Sequence, residues 1–328
     1  MLNVGIISAW HVHANGYAKE IAESGKARIA AVWDEDPRRG KPWAEQRGAE
    51  FIEDYDAFLA RKDITAVVCN SPTTMHPELI GKAVAARKDV FTEKLLATTT
   101  ADCETLCKAI EAAGITFTIS LPLLPTPRVL YVKQLIDNGL LGKVTGARFR
   151  RSHSGVSDHW LPDYWFDVSK TGGGAMMDLG AHPVYILSFL FGEPKRVSGM
   201  MTSPYSTSSD ENAIAVVEFK NGVLGTCETA FVTLGVPDLL EVYGTEGSVF
   251  VHGSSVLVSQ RALAGLGVKE VEPASLPEGK KSPIMQFVDA CVDGTGTPKH
   301  LGTAAALSMT KIIEASYISS KTGKYVEF

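Results

Sequence analysis

Short apolar runs alternate with amphipathic stretches through the first third of the chain. The apolar runs predict strands at Asn3–Ile7, Arg28–Trp33, Ala66–Asn70, Val90–Thr92 and Thr116–Ser120. The stretches between them predict helices at Ala14–Ser24, Asp54–Arg61, Pro77–Ala86 and Ala101–Ala113. Strands separated by helices of this length indicate βαβ units and a parallel sheet. We therefore predict a doubly wound α/β domain of the Rossmann type over residues 1–121.

Strand patterns dominate from Pro122 onward. A first helix is predicted at Pro127–Asn138, and Asn221-Gly222 is a strong hairpin signal. The predicted strands are Val144–Ser152, Arg196–Thr202, Ala213–Lys220, Val223–Val232, Leu239–Tyr243 and Ser248–Val251, and the closing helices are Ile284–Val292 and Ala304–Ser320. This pattern predicts an α+β domain over residues 122–328 with a large open mixed or antiparallel sheet. An open sheet needs a covered face, so we expect a homodimer or homotetramer through it.

Composition narrows the class of protein. The chain has 328 residues, 45% of them hydrophobic, which is enough for two domains with sizeable cores. A net charge of -5 offers no basic surface to a nucleic acid, and no apolar run reaches the ~20 residues of a membrane span. The five scattered cysteines indicate reduced core thiols, and the chain opens without a secretory signal, so we expect a cytoplasmic protein.

Several polar segments directly follow predicted strands. They are Ser8–His13, Asp34, Ser71–Thr74 and Glu93-Lys94, and parallel strands bring their carboxyl ends to one edge of the sheet. Lys94 lies just past the predicted strand Val90–Thr92. Desolvation at such an edge lowers the pKa of a lysine and suits it to proton transfer, although a solvated surface lysine is the alternative.

The segment Thr171–Gly192 places two titratable residues in apolar surroundings. Asp178 and His182 are four residues apart and would share one face of a helix, although Pro183 indicates that a helix kinks or begins there. A capping aspartate and a satisfied core histidine are the alternative interpretation. For Gly172–Gly174 we favour a tight turn over a phosphate cradle, because no GK[ST] follows.

Histidines and aromatic residues are the remaining candidates. His11 and His13 have no carboxylate close in sequence, and His153, His159 and His182 are scattered, so we predict no metal site. Trp160, Tyr164 and Trp165 suit the apolar faces of a sugar ring, with core packing as the alternative.

The chain resembles the glucose–fructose oxidoreductase/inositol dehydrogenase/MocA family along essentially its whole length. The resemblance rests on the first strand and turn and on five further segments. These are "NSPTTMH" (70–76), "TEKLLA" (92–97), "GGGAMMDLGAH" (172–182), "LEVYGTEGSV" (240–249) and "SSKTGKYVEF" (319–328). It implies a nicotinamide-dependent oxidoreductase that acts on a carbon of a sugar or polyol.

The resemblance also implies roles for particular residues. The family lysine carries onto Lys94, and the family Asp-x-x-x-His pair carries onto Asp178 and His182. His182 would take the hydroxyl proton, Lys94 would hydrogen-bond the same oxygen, and Asp178 would orient the substrate. The expected cofactor contacts are Ser8, Ala9, Trp10, His11, Val12, Asp34, Ser71, Pro72, Thr73, His76, Glu93 and Lys94. The expected substrate contacts are His13, His153, His159, Tyr164, Trp165, Asp178 and His182.

The choice of cofactor depends on the end of the second strand. Asp34 fits a carboxylate that accepts the ribose hydroxyls and repels a 2′-phosphate, which favours NAD. Arg38 and Arg39 follow closely and could accommodate that phosphate, so NADP remains an alternative. A solvated helix start would also explain both arginines.

Three departures separate this chain from the family pattern. The glycines of G-x-G-x-x-G/A are replaced by Ser8, Trp10 and His13; the proline after the motif lysine is Leu95; and "LPLLP" follows the strand near residue 120. We expect the ring of Trp10 to turn away from the pyrophosphate, and His11 and His13 to face the cofactor or substrate cleft. A binding protein that kept the fold but lost turnover is the second hypothesis, and a metal-dependent lyase or isomerase is the third.

Overall fold

The structure, a computed structural model, describes residues 1–205, 207–261 and 267–328. They form two compact units, one of residues 1–121 with 281–310 and the other of residues 122–280 with 311–328. The sequence pattern had placed all residues after 121 in the second domain. Residues 281–310 instead pack with the first unit, because their helix has an apolar face that joins the first core.

The helices of the described residues are numbered in chain order. They are α1 (Ala14–Glu23), α2 (Pro37–Glu45), α3 (Tyr55–Ala60), α4 (His76–Ala85), α5 (Thr100–Ala113), α6 (Pro127–Asp137), α7 (Val168–Thr171), α8 (Ala181–Phe191), α9 (Pro283–Asp293) and α10 (Thr303–Thr322). None of these helices is both long enough and apolar enough to cross a membrane.

The strands of the described residues are numbered in the same way. They are β1 (Leu2–Ile7), β2 (Ala27–Trp33), β3 (Glu50–Phe51), β4 (Ala66–Cys69), β5 (Asp89–Thr92), β6 (Phe117–Ile119), β7 (Val144–Ser152), β8 (Pro194–Thr202), β9 (Asn212–Phe219), β10 (Leu224–Ala230), β11 (Leu239–Gly244), β12 (Gly247–His252), β13 (Ser255–Gln260), β14 (Lys269–Glu270) and β15 (Val326–Glu327).

The first unit is a parallel sheet in the order β3-β2-β1-β4-β5-β6, which confirms the predicted doubly wound fold. The strand order reverses between β1 and β4. In open α/β sheets ligands bind outside the carboxyl ends of the strands at such a point. The loops after β1, β4 and β5 therefore form the edge where a nucleotide is expected.

Helix α9 completes the core of the first unit. Its residues Ile284, Phe287 and Val288 are fully buried and belong to one cluster with Ile6 of β1 and Phe91 of β5. Ser282 caps this helix by accepting the Met285 N–H, and Gly294 ends it in a left-handed conformation. The apolar face thus binds residues 281–310 to the nucleotide-binding unit although they lie far away in sequence.

The second unit is a mixed sheet in the order β14-β13-β12-β11-β7-β10-β9-β8-β15. Strands β7 and β10 are parallel, and the other pairs are antiparallel. Buried and exposed residues alternate along β9, so one face is covered and the other is open. The apolar helix α8 contacts β7 and β10. The predicted α+β domain with a large open sheet is confirmed.

Candidate cofactor and catalytic site

The loop after β1 begins with a left-handed residue that is not glycine. Ser8 is fully buried with φ of 66°, in the left-handed region that non-glycine residues enter at a cost of about 1–2 kcal/mol. Its amide donates to the Trp33 carbonyl oxygen at 2.7 Å, and its hydroxyl accepts the Trp10 N–H at 3.1 Å. The Ser8 side chain therefore holds a turn that its backbone conformation disfavours.

Trp10 and the residues after it differ in exposure. Trp10 is 5% exposed, and the His11 amide donates to the Asn70 carbonyl oxygen, which ties the loop to the end of β4. Val12 and His13 are exposed, and the ring of His11 is buried. Of the two histidines expected to face a cleft, the structure thus exposes only His13.

Asp34, at the end of β2, is an anchor for both neighbouring loops. Its buried carboxylate accepts the Ala9 and Asp36 amides, each at 2.8 Å, and both the Nε and the Nη2 of Arg39 at 3.1 and 2.6 Å. A carboxylate has about four lone-pair sites, so these four donors fill it. Arg39 thus occupies the carboxylate that was expected to accept ribose hydroxyls, and the sequence pattern did not indicate this contact.

Arg39 is shared between two carboxylates. Besides Asp34, its Nη2 contacts Glu35 Oε1 at 2.5 Å. Burial raises the pKa of Glu35, and the Asp34 charge raises it further. Gly40 must be glycine, since a Cβ there would lie 2.3 Å from the Cβ of Asp34. Arg38, in contrast, is highly exposed and pairs with Asp36, as expected for a solvated helix start.

The segment after β4 contains a buried amide with unused hydrogen-bonding capacity. Asn70 is fully buried, and neither its Oδ1 nor its Nδ2 has a hydrogen-bond partner among the described residues. Ser71 and Pro72 are buried beside it, and Thr73 is half-buried. An orphaned buried amide at the carboxyl edge fits a site completed by a polar ligand such as a dinucleotide.

His76 joins two loops of this edge. It is fully buried, with Nδ1 2.7 Å from the Leu95 carbonyl oxygen and Nε2 3.1 Å from the Ser71 carbonyl oxygen. Burial opposes its charged form, but the Cys69 thiol and the two carbonyls outweigh burial and raise its pKa. Both ring nitrogens are therefore engaged by the chain itself, and His76 supports the edge through the loops that it connects.

Glu93 and Lys94 are both buried after β5, at 1% and 5% exposure, which excludes the solvated-lysine interpretation. Glu93 Oε1 lies 2.7 Å from His13 Nδ1 and accepts the Tyr17 hydroxyl, while Oε2 accepts the Lys94 N–H at 3.1 Å. Burial favours the neutral acid, but the His11 and His13 charges prevail and lower the pKa of Glu93 well below its ordinary value. Tyr17 also bonds Ser120 at 2.7 Å.

In the second unit, Asp178 precedes a helix rather than lying in one. Helix α8 begins at Ala181, and Pro183 falls in its first turn, where no amide donor is needed. The face-sharing argument for Asp178 and His182 therefore does not apply. Asp178 Oδ2 accepts the Trp165 indole N–H at 3.1 Å, and His182 is 4% exposed with Nδ1 2.8 Å from the Tyr185 hydroxyl.

Two residues that the sequence did not reveal hold the segment before α8. The Asp210 carboxylate accepts the Gly174 and Met176 amides at 2.8 and 2.7 Å and the Tyr317 hydroxyl at 2.6 Å. A Cβ on Gly174 would lie 2.0 Å from the Asp210 carbonyl oxygen, so the glycine run serves a tight turn. Only the three-dimensional fold joins Asp210 and Tyr317 to this motif.

The aromatic candidates differ in environment. Trp165 is buried and Tyr164 is 40% exposed. His153 stacks on Phe231 with ring centroids 5.0 Å apart and also contacts Trp160. Burial lowers the pKa of His153, with a small opposing effect from Asp178. His159 is exposed with φ of 53°.

The fold and the family comparison define an NAD-binding oxidoreductase. The model of an oxidoreductase family with an NAD-binding Rossmann fold matches residues 2–121, and the GFO/IDH/MocA C-terminal domain matches residues 129–250. The chain belongs to the GFO/IDH/MocA family of oxidoreductases, which confirms the resemblance read from its motifs.

Individual relatives are distant. The uncharacterized oxidoreductase YrbE of Bacillus subtilis (strain 168) is 24% identical, over 90% of this chain and 87% of that protein. The 2,7-anhydro-N-acetylneuraminate hydratase of Escherichia coli (strain K12) is 25% identical, over 76% of this chain and 67% of its own length. A levoglucosan dehydrogenase solved with NADH and levoglucosan superposes with a TM-score of 0.88 at 21% identity, covering 99% of both chains.

Proposed function

We propose that this protein transfers a hydride between NAD(H) and a hydroxyl or carbonyl carbon of a sugar, polyol or derivative. The observation that carries the proposal is the burial of the two proton-handling residues at the family's motif positions. Lys94 and His182 are 5% and 4% exposed, and the Tyr185 hydroxyl lies 2.8 Å from Nδ1 of the His182 ring. Buried titratable groups on well-supported elements are typical of catalytic sites.

Each motif residue has a definite role in this proposal. Bound NAD(H) supplies the hydride acceptor or donor. Tyr185 holds Nδ1 of His182, so we assign Nε2 as the atom that takes the proton from the substrate hydroxyl during oxidation and returns it during reduction. Lys94 hydrogen-bonds the same oxygen and stabilises its developing charge. Asp178, fixed by Trp165, orients the substrate.

The residues at the carboxyl edge support a dinucleotide, and NAD in preference to NADP. The turn at Ser8, the Asn70 amide and the loop Ser71–Thr73 would hold the cofactor. Because Asp34 and Glu35 both contact Arg39, its guanidinium is already neutralised and is a poor partner for a 2′-phosphate.

The sugar class rests on the relatives and on the aromatic residues. Similar proteins are named for 2,7-anhydro-N-acetylneuraminate and for levoglucosan. The 40% exposed ring of Tyr164 lies beside Trp165, which bonds the carboxylate of Asp178. A ring surface and a carboxylate suit one apolar face and several hydroxyls of a sugar. His13, His153 and His159 remain proposed substrate contacts.

The open sheet face supports assembly into a homodimer or homotetramer. Register places Met200, Ile214, Val216, Leu224 and Tyr243 on one face, with exposures from 37% to 77%. Exposed apolar residues gathered on one face are typical of an interaction surface.

None of the five cysteines forms a disulfide in the described chain, which fits the proposed cytoplasmic location.

A screen of polyols and sugars tests the proposed activity. Absorbance of the reduced nicotinamide is followed with each candidate substrate, in both directions and with NAD(H) and NADP(H). We expect turnover with at least one substrate, reduced about 10²–10⁴-fold by His182→Ala. Lys299→Ala, at an exposed lysine, is the control for Lys94→Ala. Unchanged turnover in Lys94→Ala and His182→Ala would refute the assigned roles.

Calorimetric titration with NAD separates the alternative function from the proposed one. Tight NAD binding without turnover of any substrate would support a binding or regulatory protein. The replaced glycines motivate that alternative, whereas the left-handed backbone of Ser8, a conformation that glycine adopts readily, favours a working cofactor site.

A further inference from the structure

His11, His13 and Glu93 form one cluster at the carboxyl edge of the first unit. Their potential ligand atoms all lie within 4.8 Å of one another. Both histidines belong to the turn after β1, whereas Glu93 follows β5, 80 residues beyond His13. The missing carboxylate near these histidines was the reason to predict no metal from sequence, and the fold supplies it.

We propose that His11, His13 and Glu93 bind one divalent transition-metal ion of the zinc type. Two imidazoles and one carboxylate are the protein ligands of many catalytic zinc sites. Carboxylate and imidazole donors without thiolates also disfavour copper(I) and iron–sulfur clusters. Three protein ligands leave a coordination position for an oxygen ligand, either water or a hydroxyl. The proposal goes beyond the hydride transfer proposed above, and metal binding is measured without turnover.

The distances in the cluster are close to those of a tetrahedral centre. Metal bonds of about 2.0–2.2 Å to nitrogen and oxygen imply ligand separations of roughly 3.3–3.5 Å. Glu93 Oε1 lies 3.7 Å from His11 Nδ1 and 2.7 Å from His13 Nδ1. Small side-chain rotations would bring Glu93 Oε1 closer to His11 Nδ1 and move it away from His13 Nδ1. His11 Nδ1 would give up the 3.2 Å hydrogen bond that it accepts from the His13 amide.

Residues around the cluster hold the carboxylate in place. Glu93 accepts the Tyr17 hydroxyl at Oε1 and the Lys94 N–H at Oε2, and Tyr17 is positioned in turn by Ser120. Outer contacts of this kind orient the ligands of metal sites. Glu93 and His11 are 1% and 6% exposed, and the 46% exposed His13 gives an ion access from solvent.

The burial of Glu93 provides a second argument. A carboxylate removed from water must be compensated by positive charge or by a metal. A cation at the cluster would supply that charge at neutral pH without requiring either histidine to be protonated. The competing arrangement is a simple ion pair of protonated His13 with Glu93, and the experiment below separates the two.

Direct metal binding to the full-length protein, freed of any histidine tag and treated with a chelator, tests the proposal. Zn²⁺ is titrated calorimetrically in the absence of NAD(H), and Co²⁺ is added in parallel to record its visible absorption. We expect one ion per chain and Co²⁺ bands of a four- or five-coordinate site. His13→Ala is expected to weaken Zn²⁺ binding about tenfold or more.

Variants of two histidines separate binding at the cluster from binding elsewhere on the protein. His252→Ala removes an exposed histidine at the end of β12 and is expected to bind as the wild type does. His13→Ala is the main variant because His13 is half-exposed and its backbone amide remains; Glu93→Gln is a second variant if circular dichroism shows that it folds. No Zn²⁺ binding by the wild type, or equal binding by His13→Ala and His252→Ala, would overturn the metal site and leave the ion pair. Both results are read from Zn²⁺ binding in the absence of NAD(H), so they can be told apart from a failure of the hydride-transfer proposal.

Discussion

The Asp34 carboxylate is predicted to decide between NAD and NADP, and Asp34→Ser tests this directly. Its side chain is wholly buried and accepts hydrogen bonds from two guanidinium nitrogens of Arg39, Nε at 3.1 Å and Nη2 at 2.6 Å. Serine removes this acceptor, and Glu35 becomes the remaining carboxylate partner of Arg39. The guanidinium is then available to a 2′-phosphate.

The hydrogen bonds that Asp34→Ser removes determine the size of the change in cofactor preference. A hydrogen bond to a charged group contributes about 1.5–3 kcal/mol, and about 1.4 kcal/mol corresponds to a factor of ten. We therefore expect the ratio of kcat/KM for NAD over that for NADP to fall about 10- to 100-fold. The Ala9 amide also loses its acceptor, which should lower the free energy of unfolding by about 1–3 kcal/mol.

Steady-state kinetics with both cofactors at a fixed substrate concentration measure this ratio. Asp36→Ser is the matched control, because Asp36 caps α2 and pairs with the exposed Arg38. Serine also caps helices and an exposed ion pair contributes little, so this variant should change neither stability nor cofactor preference appreciably. An unchanged ratio in Asp34→Ser, or an equal change in Asp36→Ser, would refute the assignment of Asp34 and Arg39.

Three further predictions concern the second unit. Gly174→Ala should lower the melting temperature strongly, because the new Cβ would lie 2.0 Å from the Asp210 carbonyl oxygen. Gly16→Ala is the control and should not lower it, because a Cβ there would have nothing within 4 Å. Equal melting temperatures of the two variants would contradict this prediction. Ile214→Asp should shift the assembly toward monomers in analytical ultracentrifugation, and an unchanged sedimentation profile would argue against the sheet face as the interface. Burial lowers the pKa of His153 in the folded state, so the free energy of unfolding should decrease as pH drops below about 6.5. Chemical denaturation of His153→Gln at several pH values should show a smaller decrease. A decrease equal to that of the wild type would exclude His153 as its cause.

The periodicity of hydrophobic residues was sufficient to predict most helices and strands, but it failed where packing in the fold overrides local sequence preference. Helix α2 was anticipated only as an alternative helix start at Arg38 and Arg39, because Pro42 and a polar run obscure it, and the Asp36 cap and buried Trp43 stabilise it nonetheless. The assignment of residues 281–310 to the first unit depends on contacts of α9 that no local pattern reveals.

The candidate site was predictable only in part for the same reason. The sequence motifs indicated Lys94, Asp178 and His182 as candidates, and the burial of Lys94 and His182 is a property of the fold. Partners distant in sequence were not visible, above all Glu93 for His11 and His13, and Tyr317 for Asp210. The helical spacing argument for Asp178 failed because the Asp210 carboxylate holds the preceding segment in a turn.

Transfer of deuterium from NADH labelled at C4 of the nicotinamide tests the central claim most directly. The reduced product of a substrate found in the screen is analysed by mass spectrometry after reaction with each stereospecifically labelled cofactor. The account predicts one deuterium atom on the former carbonyl carbon from one of the two labelled faces, formed about 10²–10⁴-fold more slowly by His182→Ala. Product without deuterium from either face, or labelling at an undiminished rate in His182→Ala, would contradict it.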